Sequence, residues 1–283
     1  MGMLMYDALV LKRASQDIAT KQSCLTLGVP TLNFTDRHYF DQVRGDADPG
    51  QTGETPFDTA AGFFAQLGFE QVSALDISDY EGADIVGDLN DPDLQRKLGR
   101  RFDLVYDSGT IEHIFDAPAA LRTIAGLIRP GGVVVHATPC NGFVDHGFWQ
   151  VSPDLYKAFY GAAGFNIMTA ALFVFADTPY AVQVAENLYR TKGRKYISTH
   201  AAEAILVFAA QKNRDVEKPD VGMQDYYAQM HESAATEHAM RFFVPFGNPH
   251  DAKDEASRAT GALGNDAGFL RRGMRAFARH WGN

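Results

Sequence analysis

The chain has 283 residues, enough for one large domain or for a domain with an extension. Its 46% hydrophobic content suffices for a substantial core, and no apolar run is long enough to span a bilayer. The net charge of −9 argues against a nucleic acid as the main partner, because phosphate binding needs a concentrated basic face.

The compartment is predicted from the N-terminus and the cysteines. The first residues mix charge into an apolar run too early for a signal peptide. Cys24 and Cys140 lie in apolar surroundings, and we expect reduced thiols in a cytoplasmic protein. A disulfide between them would require that their strands adjoin.

Short apolar runs along the chain predict strands that alternate with helices. In the last such unit, Asp116 is expected to cap a helix, Pro118 falls in its first turn, and Pro130-Gly131-Gly132 ends it. This alternation predicts an α/β fold with a mostly parallel sheet covered on both sides. The predicted strands cover residues 24–28, 72–76, 84–87, 102–107, 133–139, 171–176 and 204–210, with the last two at one edge.

After residue 212 the sequence changes character. A polar linker is followed by MQDYYAQMHESAATEHAMRFF, which has helical periodicity, and the last residues have it too. We therefore expect a domain over residues 1–212 and a helical C-terminal extension over residues 213–283.

Ligand-binding residues are expected at the carboxyl ends of the parallel strands. Asp76 ends one strand and can accept the hydroxyl hydrogens of a ribose. In the next unit, Asp88 could accept from an exocyclic amine of adenine, and the Leu89 amide could donate to a ring nitrogen. The following strand ends in Asp107-Ser108, shortly before Glu112-His113.

The segment that carries these last groups has a familiar pattern. Residues 102–139 read FDLVYDSGTIEHIFDAPAALRTIAGLIRPGGVVVHATP, which resembles the central part of class I S-adenosylmethionine (SAM) dependent methyltransferases. The resemblance covers about residues 20–210 and implies a Rossmann-like, seven-stranded, mostly parallel sheet with helices on both faces. It also implies SAM as the cofactor.

The resemblance assigns cofactor contacts one residue at a time. Asp76 matches the ribose-binding acid, and Ile77 matches its apolar neighbour against the adenine. Asp88 and Leu89 match the pair at the adenine edge. Asp107 and Ser108 match the strand end that lies beside the methionine part of SAM.

Gly28 matches the first glycine of the loop after the first strand, but the rest of that loop departs from the family pattern. Val29, Pro30 and Thr31 replace the usual glycine-rich run. Gly28 and Asp76 are also 48 residues apart, against about 20 in a compact nucleotide-binding unit. We therefore expect an enlarged crossover with helices at 35–43 and 56–68.

The loop after the strand at 133–139 contains His146, flanked by Phe148 and Trp149. We expect His146 to be the first candidate for a general base and His113 the second, although either could be a bystander. His136, inside a strand, is expected to be a core histidine. No metal site is predicted, since the histidines show no paired helical spacing.

The sequence therefore predicts a SAM-dependent methyltransferase for a small hydroxylated or sugar-like acceptor, by O- or N-methylation. The alternative is a methyltransferase-like binding or assembly module that does not catalyse, which the reduced loop after Gly28 favours. A nicotinamide oxidoreductase is a third possibility, and it would need dinucleotide-binding glycines that the loop lacks.

Overall fold

The structure is a computed structural model that describes residues 2–34, 57–176, 179–184, 199 and 202–221. The helix predicted at 35–43 lies outside the described residues, as does all of the predicted extension from residue 222 onward.

The described residues form ten strands and five α-helices. The strands are β1 (Gly2–Met3), β2 (Ser23–Leu27), β3 (Thr31–Leu32), β4 (Gln71–Asp76), β5 (Ile85–Val86), β6 (Phe102–Asp107), β7 (Ile128–Asn141), β8 (Phe165–Val174), β9 (Tyr180–Gln183) and β10 (Ala204–Lys212). The helices are α1 (Met5–Ser15), α2 (Ala60–Gln66), α3 (Leu94–Leu98), α4 (Ala117–Leu127) and α5 (Pro153–Ala162), with a short 3₁₀ turn at Ile111–His113.

Eight strands form the central sheet, in the order β5-β4-β2-β6-β7-β10-β8-β9. The first five are parallel to one another, whereas β10 is antiparallel to both β7 and β8. The predicted mostly parallel α/β sheet is confirmed. It has eight strands in place of seven because a short strand, β9, pairs with β8. As predicted, β8 and β10 lie together at one end of the sheet, where β10 lies between β7 and β8 and β9 is outermost.

Both faces of the sheet are buried, because successive side chains of a strand point to opposite sides. On β6, Val105 packs into the cluster that contains residues of α4 and α5. Its neighbours Leu104 and Tyr106 pack into the cluster that contains residues of α1 and α2. The predicted two-sided sheet is therefore confirmed.

Helix α4 begins and packs as its sequence predicts. The Ala119 amide donates to Asp116 Oδ1 at 3.1 Å, and Pro118 lies in the first turn, where its missing N–H costs no hydrogen bond. Leu121 and Ile124 are buried on one side. These caps and contacts fix the helix between β6 and β7, directly after the 3₁₀ turn.

Cys24 lies on β2 and Cys140 on β7, and β6 separates these strands. Both cysteines are free thiols. In the part of the chain that is described, no helix has the length and apolar character needed to traverse a lipid bilayer.

Candidate functional site

The sheet has a crevice where its strand order reverses. The chain runs from β2 outward through β4 to β5 and then returns to β6, on the other side of β2. Leu27 and Asp107, at the carboxyl ends of β2 and β6, are paired in register. Open α/β sheets bind ligands at this position, so the candidate site lies beyond these two strand ends.

Gly28 makes the turn that leaves β2. Its φ of 75° lies in the left-handed region, which glycine enters without steric cost. Its amide donates to the Leu75 carbonyl at 2.7 Å, across to β4. A cavity of about 530 Å³ opens beside this turn, between Val29 and Pro30 on one side and Ser73 of β4 on the other. That volume is within the range of small-molecule sites.

The acid at the end of β4 is partly exposed at the crevice. Asp76 Oδ1 accepts a long hydrogen bond of 3.3 Å from the Ser78 amide, and the Asp76 carbonyl accepts from the Gly87 amide at 2.8 Å. Ile77, the next residue, is 66% exposed. The structure thus presents a carboxylate and a large apolar side chain side by side.

The two residues after β5 that are predicted to contact adenine, Asp88 and Leu89, differ in exposure. Asp88 is exposed, and its Oδ1 accepts from the Asn90 amide at 2.8 Å. Leu89 is buried in the core cluster that also contains Leu75 and Leu94. Asp88 therefore closes a local turn with one carboxylate oxygen, while the Leu89 side chain anchors that turn.

Asp107 is fully buried and its carboxylate is used inside the protein. Oδ1 accepts from the Thr110 amide at 2.8 Å, and Oδ2 lies 2.7 Å from His136 Nδ1. His136 Nε2 is in turn 2.6 Å from the Tyr160 hydroxyl. The predicted core role of His136 is confirmed by these contacts.

The Asp107 network fixes the loop that leaves β6. The Thr110 hydroxyl donates to the Leu27 carbonyl at 2.9 Å, which ties this loop to the end of β2. Ser108, inside the loop, is buried. No local sequence pattern predicts this network, because Asp107, His136 and Tyr160 come from three separate elements.

Beyond this loop, Glu112 is a buried carboxyl group, and one of its two oxygens is unpaired among the described residues. It is 1% exposed, and its Oε2 has no hydrogen-bond partner among the described residues. Burial, followed by the charge of Asp107, raises the pKa of Glu112 to about 9. A carboxyl group in this setting favours its neutral form or a cation close by.

Two histidines lie against Glu112. His146 Nε2 is 3.9 Å from Glu112 Oε1, and the His113 and His146 rings meet edge to face with centroids 5.0 Å apart. Burial lowers the pKa of both imidazoles; the charge of Asp107 opposes this at His113, and a charge on His113 adds to it at His146. Both rings therefore favour the neutral form, which has a free nitrogen lone pair.

The loop that carries His146 is attached to the backbone of Glu112. The Phe148 amide donates to the Glu112 carbonyl at 2.7 Å, and the Trp149 indole donates to the Ile114 carbonyl at 2.9 Å. Gly147 has a φ of 81°, and a Cβ there would lie 2.8 Å from the Glu112 carbonyl oxygen. The close approach of the loop therefore requires glycine at 147.

The structure thus brings some of the predicted site residues into contact and places others elsewhere in the crevice or inside the protein. The two candidate bases, His113 and His146, are in contact, and Glu112 joins them. Asp76 at the end of β4 is paired in register with Val86 of β5, so it lies on the β4–β5 side of the crevice, away from these histidines. The Asp107 carboxylate is enclosed and does not face the crevice as a free group.

Several solved structures resemble the chain weakly. TehB from Haemophilus influenzae is 12% identical over 71% of this chain and 61% of that chain, with a TM-score of 0.40. A SAM-dependent methyltransferase from Clostridium acetobutylicum ATCC 824 is 10% identical, covering 74% and 92%, with a TM-score of 0.33. The N-methyltransferase NodS from Bradyrhizobium japonicum WM9 is 9% identical, covering 74% and 96%, with a TM-score of 0.39. No curated protein matches the sequence.

The family model of a methyltransferase domain matches residues 50–171. The matched segment runs through β4, β5, β6 and β7 into β8, and it includes Asp76, Asp88 and Asp107 as well as the Glu112–His146 cluster. It begins after β2, so it does not include Gly28. The predicted resemblance to methyltransferases is confirmed over this segment, because residues 50–171 match a methyltransferase domain.

Proposed function

We propose that the protein transfers the methyl group of SAM to a small hydroxylated or sugar-like acceptor, by O- or N-methylation. The observation that supports this most directly is the contact between two neutral-favouring imidazoles, His113 and His146, just beyond the carboxyl end of β6. The methyl group of a sulfonium is already electrophilic. The protein therefore has to hold the acceptor in line with it and remove one proton.

The cofactor would lie along the ends of β2, β4 and β5. Asp76 offers a carboxylate for the ribose hydroxyls, and the exposed Ile77 offers an apolar surface for the adenine. Asp88, with one oxygen used in its own turn, would accept from the adenine amine, and the Leu89 amide would donate to the ring. Binding would cover Ile77, which is otherwise exposed to water.

The methionine part of SAM would lie beside Gly28 and the end of β6. The Asp107 carboxylate is held by Thr110 and His136, so its contribution there would be to fix the loop at Ser108. Contacts to SAM would come from the backbone at this turn.

The acceptor would lie near the loop that carries His146. Phe115 and Phe148 are 75% and 65% exposed and meet edge to face at 5.6 Å, and Trp149 is partly exposed beside them. Exposed aromatic side chains around a few polar groups are typical of sites for small molecules. His146 is the first choice as the base and His113 the second.

The alternative function is a binding or assembly module that does not catalyse. It is favoured by the turn after β2, where Gly28 is followed by Val29, Pro30 and Thr31. A nicotinamide oxidoreductase is the weaker third candidate, because a dinucleotide needs the glycines that are missing there.

Calorimetry and a methyl-transfer assay together separate these three functions. We expect binding of SAM and of its demethylated product, and no binding of NAD. Labelled SAM, incubated with a panel of sugars, phenols and amines, should then transfer its methyl group to at least one acceptor class. Tight SAM binding without transfer to any acceptor would support the binding module, and binding of NAD in place of SAM would support the oxidoreductase.

The organisation and location of the protein are part of the same proposal. The catalytic domain would end at residue 212, the last residue of β10, with residues 213–283 as a helical extension. The two free cysteines are typical of a reducing compartment, which supports a cytoplasmic location. Nucleic acid is not expected as a partner of a chain with this net charge.

A further inference from the structure

Glu112, His113 and His146 form a compact group of side chains of the types that ligate metals. One ligand atom from each, a carboxylate oxygen and two imidazole nitrogens, can be chosen so that all three lie within 4.8 Å of one another. The three side chains differ in exposure: Glu112 is buried, His113 is exposed and His146 is intermediate. The group therefore has an enclosed side and a side that opens toward solvent.

The buried carboxylate is the part of this group that needs an explanation. Glu112 Oε2 makes no hydrogen bond within the described residues, and His146 Nε2 is 3.9 Å from Oε1. Buried polar groups without partners are rare and costly. A cation between the carboxylate and the imidazoles would provide the missing partner.

We propose that Glu112, His113 and His146 bind one divalent transition-metal ion. Two nitrogens and one oxygen suit Zn²⁺, Mn²⁺ or Fe²⁺ better than Mg²⁺, which prefers oxygen ligands. Three protein ligands leave at least one coordination position open, as in catalytic metal sites. The ion would draw the ligand atoms closer together than they are without it, and the partly exposed imidazoles can make that movement by side-chain rotation.

The backbone holds the ligands together although they come from distant parts of the sequence. The loop with His146 is bonded to the Glu112 carbonyl through the Phe148 amide, and Gly147 permits that approach. Loop residues that are fixed in this way lose little freedom when a ligand binds. The site is therefore largely formed before the ion arrives.

This site goes beyond the proposed function and does not depend on it. An open coordination position beside the crevice could take a hydroxyl group of the acceptor, and a bound ion lowers the pKa of an oxygen ligand. In that state His113 and His146 are ligands, and the ion takes over the task that the proposed function gives to a free base.

The test is metal binding by untagged, chelator-treated full-length protein, measured by isothermal calorimetry with Zn²⁺, Mn²⁺ and Mg²⁺ in turn and without SAM. We expect one site for Zn²⁺ or Mn²⁺ and much weaker binding of Mg²⁺. Glu112→Gln, His113→Ala and His146→Ala should each weaken binding at least about tenfold, since each removes a ligand. Asp145→Asn is the matched control, because it removes a carboxylate of the same loop that lies outside the group. Its affinity should equal that of the wild type.

Variants are necessary because the chain has 9 histidines in all, and others could bind metal. Equal affinity in the wild type and in all three ligand variants would overturn the proposal, as would the absence of binding at millimolar Zn²⁺ and Mn²⁺. His113→Ala changes an exposed side chain and should fold normally, so it tests the site even if Glu112→Gln is unstable. Metal binding without methyl transfer would leave this site standing and reject the proposed function, and methyl transfer with no metal binding would do the reverse.

Discussion

Asp7 on helix α1 should destabilise the protein at alkaline pH, and its replacement by asparagine should remove that effect. Asp7 is 1% exposed. Its Oδ2 accepts from the Leu4 amide at 2.8 Å and from the Tyr106 hydroxyl at 3.1 Å, while its Oδ1 has no hydrogen-bond partner in the described part of the chain. Burial raises the pKa of Asp7 to about 7, although these two hydrogen bonds oppose the shift.

The size and sign of the effect follow from the two pKa values. Because the pKa of the carboxyl is higher in the folded protein than the ordinary value of 3.8, its penalty is absent below about pH 3.8. The penalty grows as the pH rises and is complete above about pH 7. At about 1.4 kcal/mol per pH unit, it reaches roughly 4 kcal/mol at pH 8 and is less than half of that at pH 5.

Urea unfolding of Asp7→Asn and the wild type at pH 5 and pH 8 measures this difference. Asparagine keeps an acceptor for Leu4 and Tyr106, and any cost of its unpaired amide group is independent of pH. The variant should therefore gain about 2–3 kcal/mol more stability at pH 8 than at pH 5. Asp79→Asn, at an exposed position, should change little at either pH. If Asp7→Asn changes the stability equally at both pH values, Asp7 is already ionised at pH 5 in the folded protein, and its pKa is not raised.

Four predictions concern the crevice. Asp76→Ala should weaken SAM binding by about 1.5–3 kcal/mol in calorimetry, the range for a hydrogen bond to a charged group; unchanged affinity would reject its ribose role. Asp88→Ala should weaken SAM binding more than Asp88→Asn, which keeps an acceptor; equal affinities in both variants and the wild type would exclude the adenine contact. His146→Ala should lower turnover by about 10²–10⁴ at near-normal SAM affinity, and full activity would make this histidine a bystander. Gly147→Ala should displace the loop from Glu112 and reduce turnover with SAM binding retained, whereas wild-type turnover would mean that the loop position does not matter.

Local sequence patterns predicted the sheet well where the pattern is continuous. β6 has the predicted bounds 102–107, because all six residues are buried and the run has no interruption. α4 begins at its predicted cap, because Asp116 is placed to accept from the backbone three residues later. α1, α3 and α5 were not predicted. Helix α3 has only 5 residues, and α1 has polar and charged residues spread through its apolar pattern.

The candidate site could be predicted only in part, because its main contacts join residues that are distant in sequence. Each of His113 and His146 was a plausible base by its place after a strand, but no local pattern brings them into contact or adds Glu112. Gly147 is a local signal that could have indicated the unusual backbone of this loop. A glycine directly after His146 indicates a backbone position that other residues enter with difficulty.

Asp107, which ends β6, and Glu112, which follows it, have different tasks, and their surroundings explain why. Asp107 ends the strand itself, where the neighbouring strand β7 supplies His136 and the loop supplies the Thr110 amide. A buried carboxylate with all these partners is a rigid support and has little capacity left for a ligand. Glu112 lies further along, in the 3₁₀ turn, and one of its oxygens has no hydrogen-bond partner among the described residues. The rigid network thus fixes the loop from which a reactive group can project, so the chemistry is expected at Glu112 and its histidines rather than at the strand end.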